Sequence, residues 1–149
     1  MTTLNLDQKA AQYAQKMVIN AEGTKDVKKP IDTLERLVTK TLGVLQEQGV
    51  YAAILFLYSR TSDEAKIAPA IRCSLFRLMQ DREKNHELYP FKDKSVPTDD
   101  ADAETALAFY SGTVCNDLDT LLLVKDLYEQ TLIYARYGAK AAGNELAAI

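Results

Sequence analysis

Asp99, Asp100, Asp102 and Glu104 form the densest group of chemically capable side chains in the sequence. Hard oxygen ligands suit magnesium or calcium, and a metal held here would make the chain a helical hydrolase acting on nucleotides. The spacing matches neither a calcium loop nor a pair of carboxylates on one helix face. The cluster instead precedes an apolar helical pattern, where the helix dipole favours negative charge. Helix capping is therefore the expectation, with no metal and no cofactor. A di-metal bundle site would need Glu-x-x-His pairs on facing helices. The single histidine, His86, falls between Asn85 and Glu87 in a stretch that carries prolines and no helical period. It leaves serine or cysteine activation without a positioned base. No Gly-x-x-x-x-Gly-Lys loop is present to cradle phosphate. Cys73 and Cys115 lie in separate helical patterns without metal-type spacing, and both are expected as buried thiols. No residue is assigned a catalytic role, and the chain is not expected to be an enzyme.

The basic side chains remain. Arg72, Arg77, Arg82 and Lys84 gather around one helical pattern, Lys25, Lys28 and Lys29 sit in a linker, and Lys92 and Lys94 fall in the expected loop. With 18 basic and 21 acidic residues and a net charge of -3, the chain has no bulk attraction for nucleic acid or membrane. Phosphate contacts need only local positive charge, so a few of these side chains suffice for an RNA contact. The first residues lack the basic and apolar regions of a signal peptide, and the longest apolar run is too short to cross a bilayer. The expectation is a cytoplasmic protein with no membrane partner.

The elements that would position these groups are helices. A length of 149 residues suits one domain spanning 1–149 with a single core. Leu6, Ala10, Tyr13, Ala14, Met17, Val18 and Ala21 recur at helical spacing, with Asn5 placed to cap them and Gly23 placed to end the helix in a left-handed conformation. Pro30 suits the first turn of a second helix, whose inner stripe is Ile31, Leu34, Leu37, Val38, Thr41, Leu42 and Leu45. Gly49 turns the chain into Val50-Tyr-Ala-Ala-Ile-Leu-Phe-Leu-Tyr58. Nine apolar residues in a row offer no polar face and predict a short buried helix. Thr61 and Glu64 have capping-box spacing, and Pro69 predicts a break near Ala68 in the helix that follows. A long loop is expected from Asn85 to Thr98. Ala103, Ala106, Leu107, Tyr110 and Val114 should then face inward on a fifth helix. Asp117 opens the longest helix, with stripes on two sides that imply two packing partners and an end at Gly143-Asn144. The fold class is all-α, a compact bundle of about six helices around a short buried central helix.

The order of three motifs resembles a known family. The opening Leu6-Asp-Gln-Lys-Ala-Ala-Gln-Tyr-Ala14, the central Gly49-Val-Tyr-Ala-Ala-Ile-Leu-Phe56 and the closing helix from Leu121 to Ala142 are similar to the small helical subunit of the type III-B, or Cmr, CRISPR effector complex. The family often has a basic residue and a Gly-Leu pair before the central run, where this chain has Gln46 and Gly49-Val50. The resemblance implies a non-catalytic, cytoplasmic subunit of an antiviral RNA-guided complex. Such a subunit packs in rows against the backbone subunits and helps line the groove for target RNA, while RNA and DNA cleavage belong to other subunits. Its partners would be the other Cmr-type subunits, guide RNA and target RNA. Arg60, Arg72, Arg77 and Arg136, chosen by charge and predicted exposure, are the candidates for RNA or subunit contact. A protein-only interaction module is the alternative, self-associating through the two-sided final helix.

Overall fold

A computed structural model describes residues 6–80 and 96–147. Asn5, Arg82, Lys84, His86, Lys92, Lys94 and the expected loop over 85–95 lie outside the described residues. Within them the chain is helical, with no strand. The helices are α1 (Leu6–Glu22), α2 (Pro30–Gln48), α3 (Val50–Tyr58), α4 (Ser62–Gln80), α5 (Ala103–Phe109) and α6 (Leu118–Ala147), and a π-helical turn over Tyr110–Val114 follows α5. No helix among the described residues is long and apolar enough to cross a membrane.

Apolar spacing explains the first two helices directly. Ala10, Tyr13, Ala14, Met17 and Ala21 are the buried face of α1. Gly23 follows its end without adopting the expected left-handed conformation, which this linker instead places at Asp26 (φ 65°), a residue type whose short polar side chain tolerates it. Pro30 occupies the first turn of α2, and every residue of the expected stripe is buried, joined by Thr33. The buried Thr41 hydroxyl donates to the Leu37 carbonyl at 2.7 Å.

Gly49 ends α2 and starts α3. Its φ of 99° and ψ of -176° lie in a region essentially restricted to glycine. Its N–H donates to the Leu45 carbonyl at 3.0 Å, and its carbonyl accepts from the Ala53 N–H at 3.1 Å. The turn aims Val50, Ala53, Ile54 and Leu57 into the core. The other side of α3 departs from the expectation of full burial, with Tyr51 39% and Leu55 47% exposed. An unbroken apolar run hides its own helical periodicity, so composition could not separate the two sides.

α4 also departs from its expectation, running without interruption through Pro69. Proline deprives the Ala65 carbonyl of its helical partner, but Ala65 is exposed, where water can satisfy that oxygen. Buried Ile67, Ala68, Ala70 and Ile71 flank the proline and hold both halves of the helix against the core. At the far end of the chain, α6 continues past Gly143 and Asn144 to Ala147. Gly143 lies where the end of α6 meets the start of α2, and a Cβ there would sit 3.7 Å from Ile31 Cγ2. Asp117 caps α6 as expected, its Oδ2 accepting from the Thr120 N–H at 3.0 Å and the Thr120 hydroxyl at 2.7 Å.

The two apolar sides of α6 pack on α1 and α2, and α4 closes the bundle by packing on the same two helices. α3 and α5 cover one end, where Tyr110 of the π turn and Tyr128 of α6 are fully buried. Their hydroxyls are 2.5 Å apart, and Tyr128 reaches the Leu75 carbonyl of α4 at 3.2 Å. Burial pushes the Tyr110 phenol well above its ordinary pKa, so that hydroxyl stays protonated. Gly49→Ala keeps every side-chain contact but forces a Cβ onto the glycine conformation. It should lower unfolding free energy by about 1–3 kcal/mol in urea denaturation, and an unchanged midpoint would refute the conformational requirement.

Candidate nucleic-acid interface

The acidic cluster disperses into four separate roles. The Asp102 carboxylate caps α5, its Oδ1 accepting from the Thr105 N–H at 2.8 Å. Asp100 accepts from the Thr98 hydroxyl at 2.6 Å. These bonds hold both carboxyls below their usual pKa range. Asp99 pairs with Arg77 through both guanidinium Nε, at 3.2 Å, and Nη2. Glu104 lies in the first turn of α5. Among the described residues no three His, Cys, Asp or Glu side chains converge to hold a metal.

The cysteines differ from the expected pair of buried thiols. Cys73 is half-buried and Cys115 is exposed. Burial pushes the Cys73 thiol up in pKa, with Asp99 adding in the same direction. Cys115 follows the π turn, and its N–H closes that turn on the Tyr110 carbonyl at 2.9 Å. On the helical spacing of Ala103, Leu107, Tyr110 and Val114, Cys115 already falls off the inward stripe, in keeping with its exposure.

The four candidate arginines have different immediate partners, although Arg72 and Arg77 both lie beside Cys73. Arg60 follows α3, stacks over the Phe56 ring at 3.8 Å and donates from Nε to the Phe56 carbonyl at 3.1 Å. Its Nη1 lies 3.3 Å from Glu64 Oε1, while Lys40 of α2 approaches Glu64 Oε2 at 2.8 Å. Both Glu64 oxygens thus face cations, in place of the expected capping box with Thr61. Arg72 stacks over Tyr58 at 4.2 Å, and the Tyr58 hydroxyl donates to the Ala101 carbonyl at 2.8 Å. Burial raises the Tyr58 phenol, so that donor stays protonated. Arg77 is neutralised by Asp99. Arg136 stands apart, exposed on α6.

Lys40 is the candidate side chain that sequence spacing alone missed. Arg60 and Glu64 are four residues apart, a separation visible in the sequence, whereas Lys40 reaches Glu64 only because α2 packs on α4. The three groups carry two positive charges against one negative. Arg60 is also oriented by the ring beneath it, since a guanidinium over an aromatic face gains about 0.5–1 kcal/mol at exposed sites. Nη1 and Nη2 each keep one N–H beyond those given to Glu64 and, at 3.1 Å, to the Ser59 hydroxyl, and these beside a lysine suit a phosphate oxygen.

Lys40, foremost, and Arg60 hold the Glu64 carboxyl below its usual pKa. A lowered carboxylate contributes stability that is present above the unfolded-state value and is lost as pH falls through the folded-state value. Because surface pairs contribute little, on the order of 0–1 kcal/mol, Glu64→Gln should cost a fraction of a kcal/mol near pH 7. That difference should shrink in urea titrations as pH falls below the unfolded-state carboxylate range and vanish once the folded-state carboxyl is protonated. A difference that grows on acidification would contradict the assignment. No family model, curated protein or solved structure matches this chain.

Proposed function

We propose that the protein is a non-catalytic subunit of an RNA-guided antiviral effector complex of the type III-B CRISPR kind, packing against larger subunits and contacting RNA phosphate through Lys40 and Arg60. The carrying observation is the surplus positive charge at Glu64, where Lys40 Nζ at 2.8 Å and Arg60 Nη1 at 3.3 Å share one carboxylate. Support also comes from the three motifs of the resemblance. They lie on α1, on the Gly49 turn with α3, and on α6, so each falls in a helical context as the resemblance implies. Arg72, half-buried on Tyr58, is the next contact candidate. Arg77 is the weaker candidate because Asp99 balances its charge one for one.

The test is affinity recovery of tagged protein from its native host, comparing wild type with the Lys40→Ala/Arg60→Ala variant. Wild type should bring down short guide RNAs with a set of larger subunits. The variant complex should bind target RNA more weakly, with a log affinity against log salt slope shallower by about 0.7, the contribution of one phosphate contact on a single strand. Recovery of wild-type protein alone, or with one protein and no RNA, would overturn the reading.

A further inference from the structure

Glu64 lies between Lys40 and Arg60, where a phosphate touching both cations would have to lie. One of its oxygens faces Lys40 Nζ at 2.8 Å and the other faces Arg60 Nη1 at 3.3 Å. Carboxylates and phosphates both present paired oxygen acceptors to such donors. The side chain occupies this place as an anion, because Lys40, foremost, and Arg60 hold its carboxyl below the ordinary range.

The two cations depend on Glu64 to different degrees. Arg60 has three other holds: its guanidinium lies 3.8 Å over the Phe56 ring, Nε donates to the Phe56 carbonyl at 3.1 Å, and Nη2 donates to the Ser59 hydroxyl at 3.1 Å. That hydroxyl donates in turn to the Phe56 carbonyl at 2.7 Å. These partners are neutral groups at the end of α3, so Arg60 keeps its orientation without the carboxylate. Lys40 reaches over from α2 with its side chain 54% exposed. Among the described residues Glu64 is the one hydrogen-bond partner of its ammonium group.

We propose that Glu64 is an internal stand-in for RNA phosphate, holding Lys40 in the free protein and releasing it when a phosphate binds, while Arg60 stays in place. This inference rests on the RNA reading of the same site and adds its regulation. The sign of the effect follows from charge. To bridge both cations, a phosphate must take the carboxylate's position, break the Lys40 pair and leave Glu64 beside a like charge. Both consequences oppose binding, so Glu64 lowers the affinity for RNA. A carboxylate that served only to organise the site would act with the opposite sign, because its removal would leave the cations unaligned. The separate holds on Arg60 argue against that role.

The test is a target-RNA titration, at several salt concentrations, of the complex recovered with wild type, Glu64→Gln, Lys40→Ala, Lys40→Ala/Glu64→Gln and Lys40→Ala/Arg60→Ala. Glu64→Gln keeps the side chain's size and removes its charge. It should tighten binding roughly two- to fivefold, the order of one exposed ion pair, and steepen the log–log salt slope by up to about 0.7. With Lys40→Ala already present there is no held ammonium to release, so the same substitution should give less than about half that gain. Unchanged or weaker binding by Glu64→Gln, alongside a loss in Lys40→Ala/Arg60→Ala, would overturn the stand-in and leave the RNA reading standing. An equal gain with and without Lys40 would also overturn it, since Glu64 would then only repel RNA. If Lys40→Ala/Arg60→Ala binds like wild type, the RNA reading fails and the inference fails with it.

Discussion

Burial of two sides of α6 is the constraint on which the bundle depends. Val124, Tyr128, Leu132, Ala135 and Ala139 form one buried row, and Leu127 and Thr131 extend burial around the helix. Each large apolar side chain taken fully from water contributes about 1.5–3 kcal/mol, so neither row can be left solvated. α1 and α2 supply the two covering surfaces, and α4 joins them from the other side. Gly138 of α6 faces Val18 of α1, and Gly143 faces Ile31 of α2. Tyr128 couples a third element to the same axis through Tyr110 and the Leu75 carbonyl. With both hydroxyls engaged, this buried polar chain specifies how the π turn and α4 sit against α6.

The charged surface follows from that packing. α2 and α4 are brought together by the core, and only then does Lys40 meet Glu64 across the surface. Arg60 is placed differently, by the chain itself, since its stacking ring and carbonyl both belong to Phe56 four residues earlier. The result is a rigid guanidinium beside a flexible ammonium, sharing one carboxylate. A phosphate arriving there would compete with Glu64 for two cations, with a net positive charge in its favour. At Arg77 the bidentate pairing with Asp99 leaves no such surplus.

What could be seen in the sequence was whatever local chemistry decides. Pro30 marked the start of α2, the 3.6-residue stripe marked its buried face, and Asp102 and Asp117 marked the starts of α5 and α6. The all-α class followed from these periodicities. Tertiary packing decided the rest. Pro69 and Gly143 carry local penalties for helix, yet buried neighbours at Ile67, Ala68, Ala70 and Ile71, and the crossing with Ile31, hold their helices continuous. The apolar composition of α3 concealed a solvent side at Tyr51 and Leu55. At the candidate site, Arg60 with Glu64 was visible as a four-residue spacing, and the dispersal of the acidic cluster was foreshadowed by its position before α5. Lys40 and the Asp99 partner of Arg77 each required long-range geometry.

Native-state hydrogen exchange across α6 tests the dependence of the fold on this helix most directly. Backbone amides from Val124 to Ala139 should exchange only through global unfolding, with opening free energies equal to the stability measured by denaturant and at least as high as those anywhere in α4. Exchange of those amides through local openings, while Ile71 to Met79 of α4 stay protected to the global limit, would show that the bundle holds together without α6 as its axis.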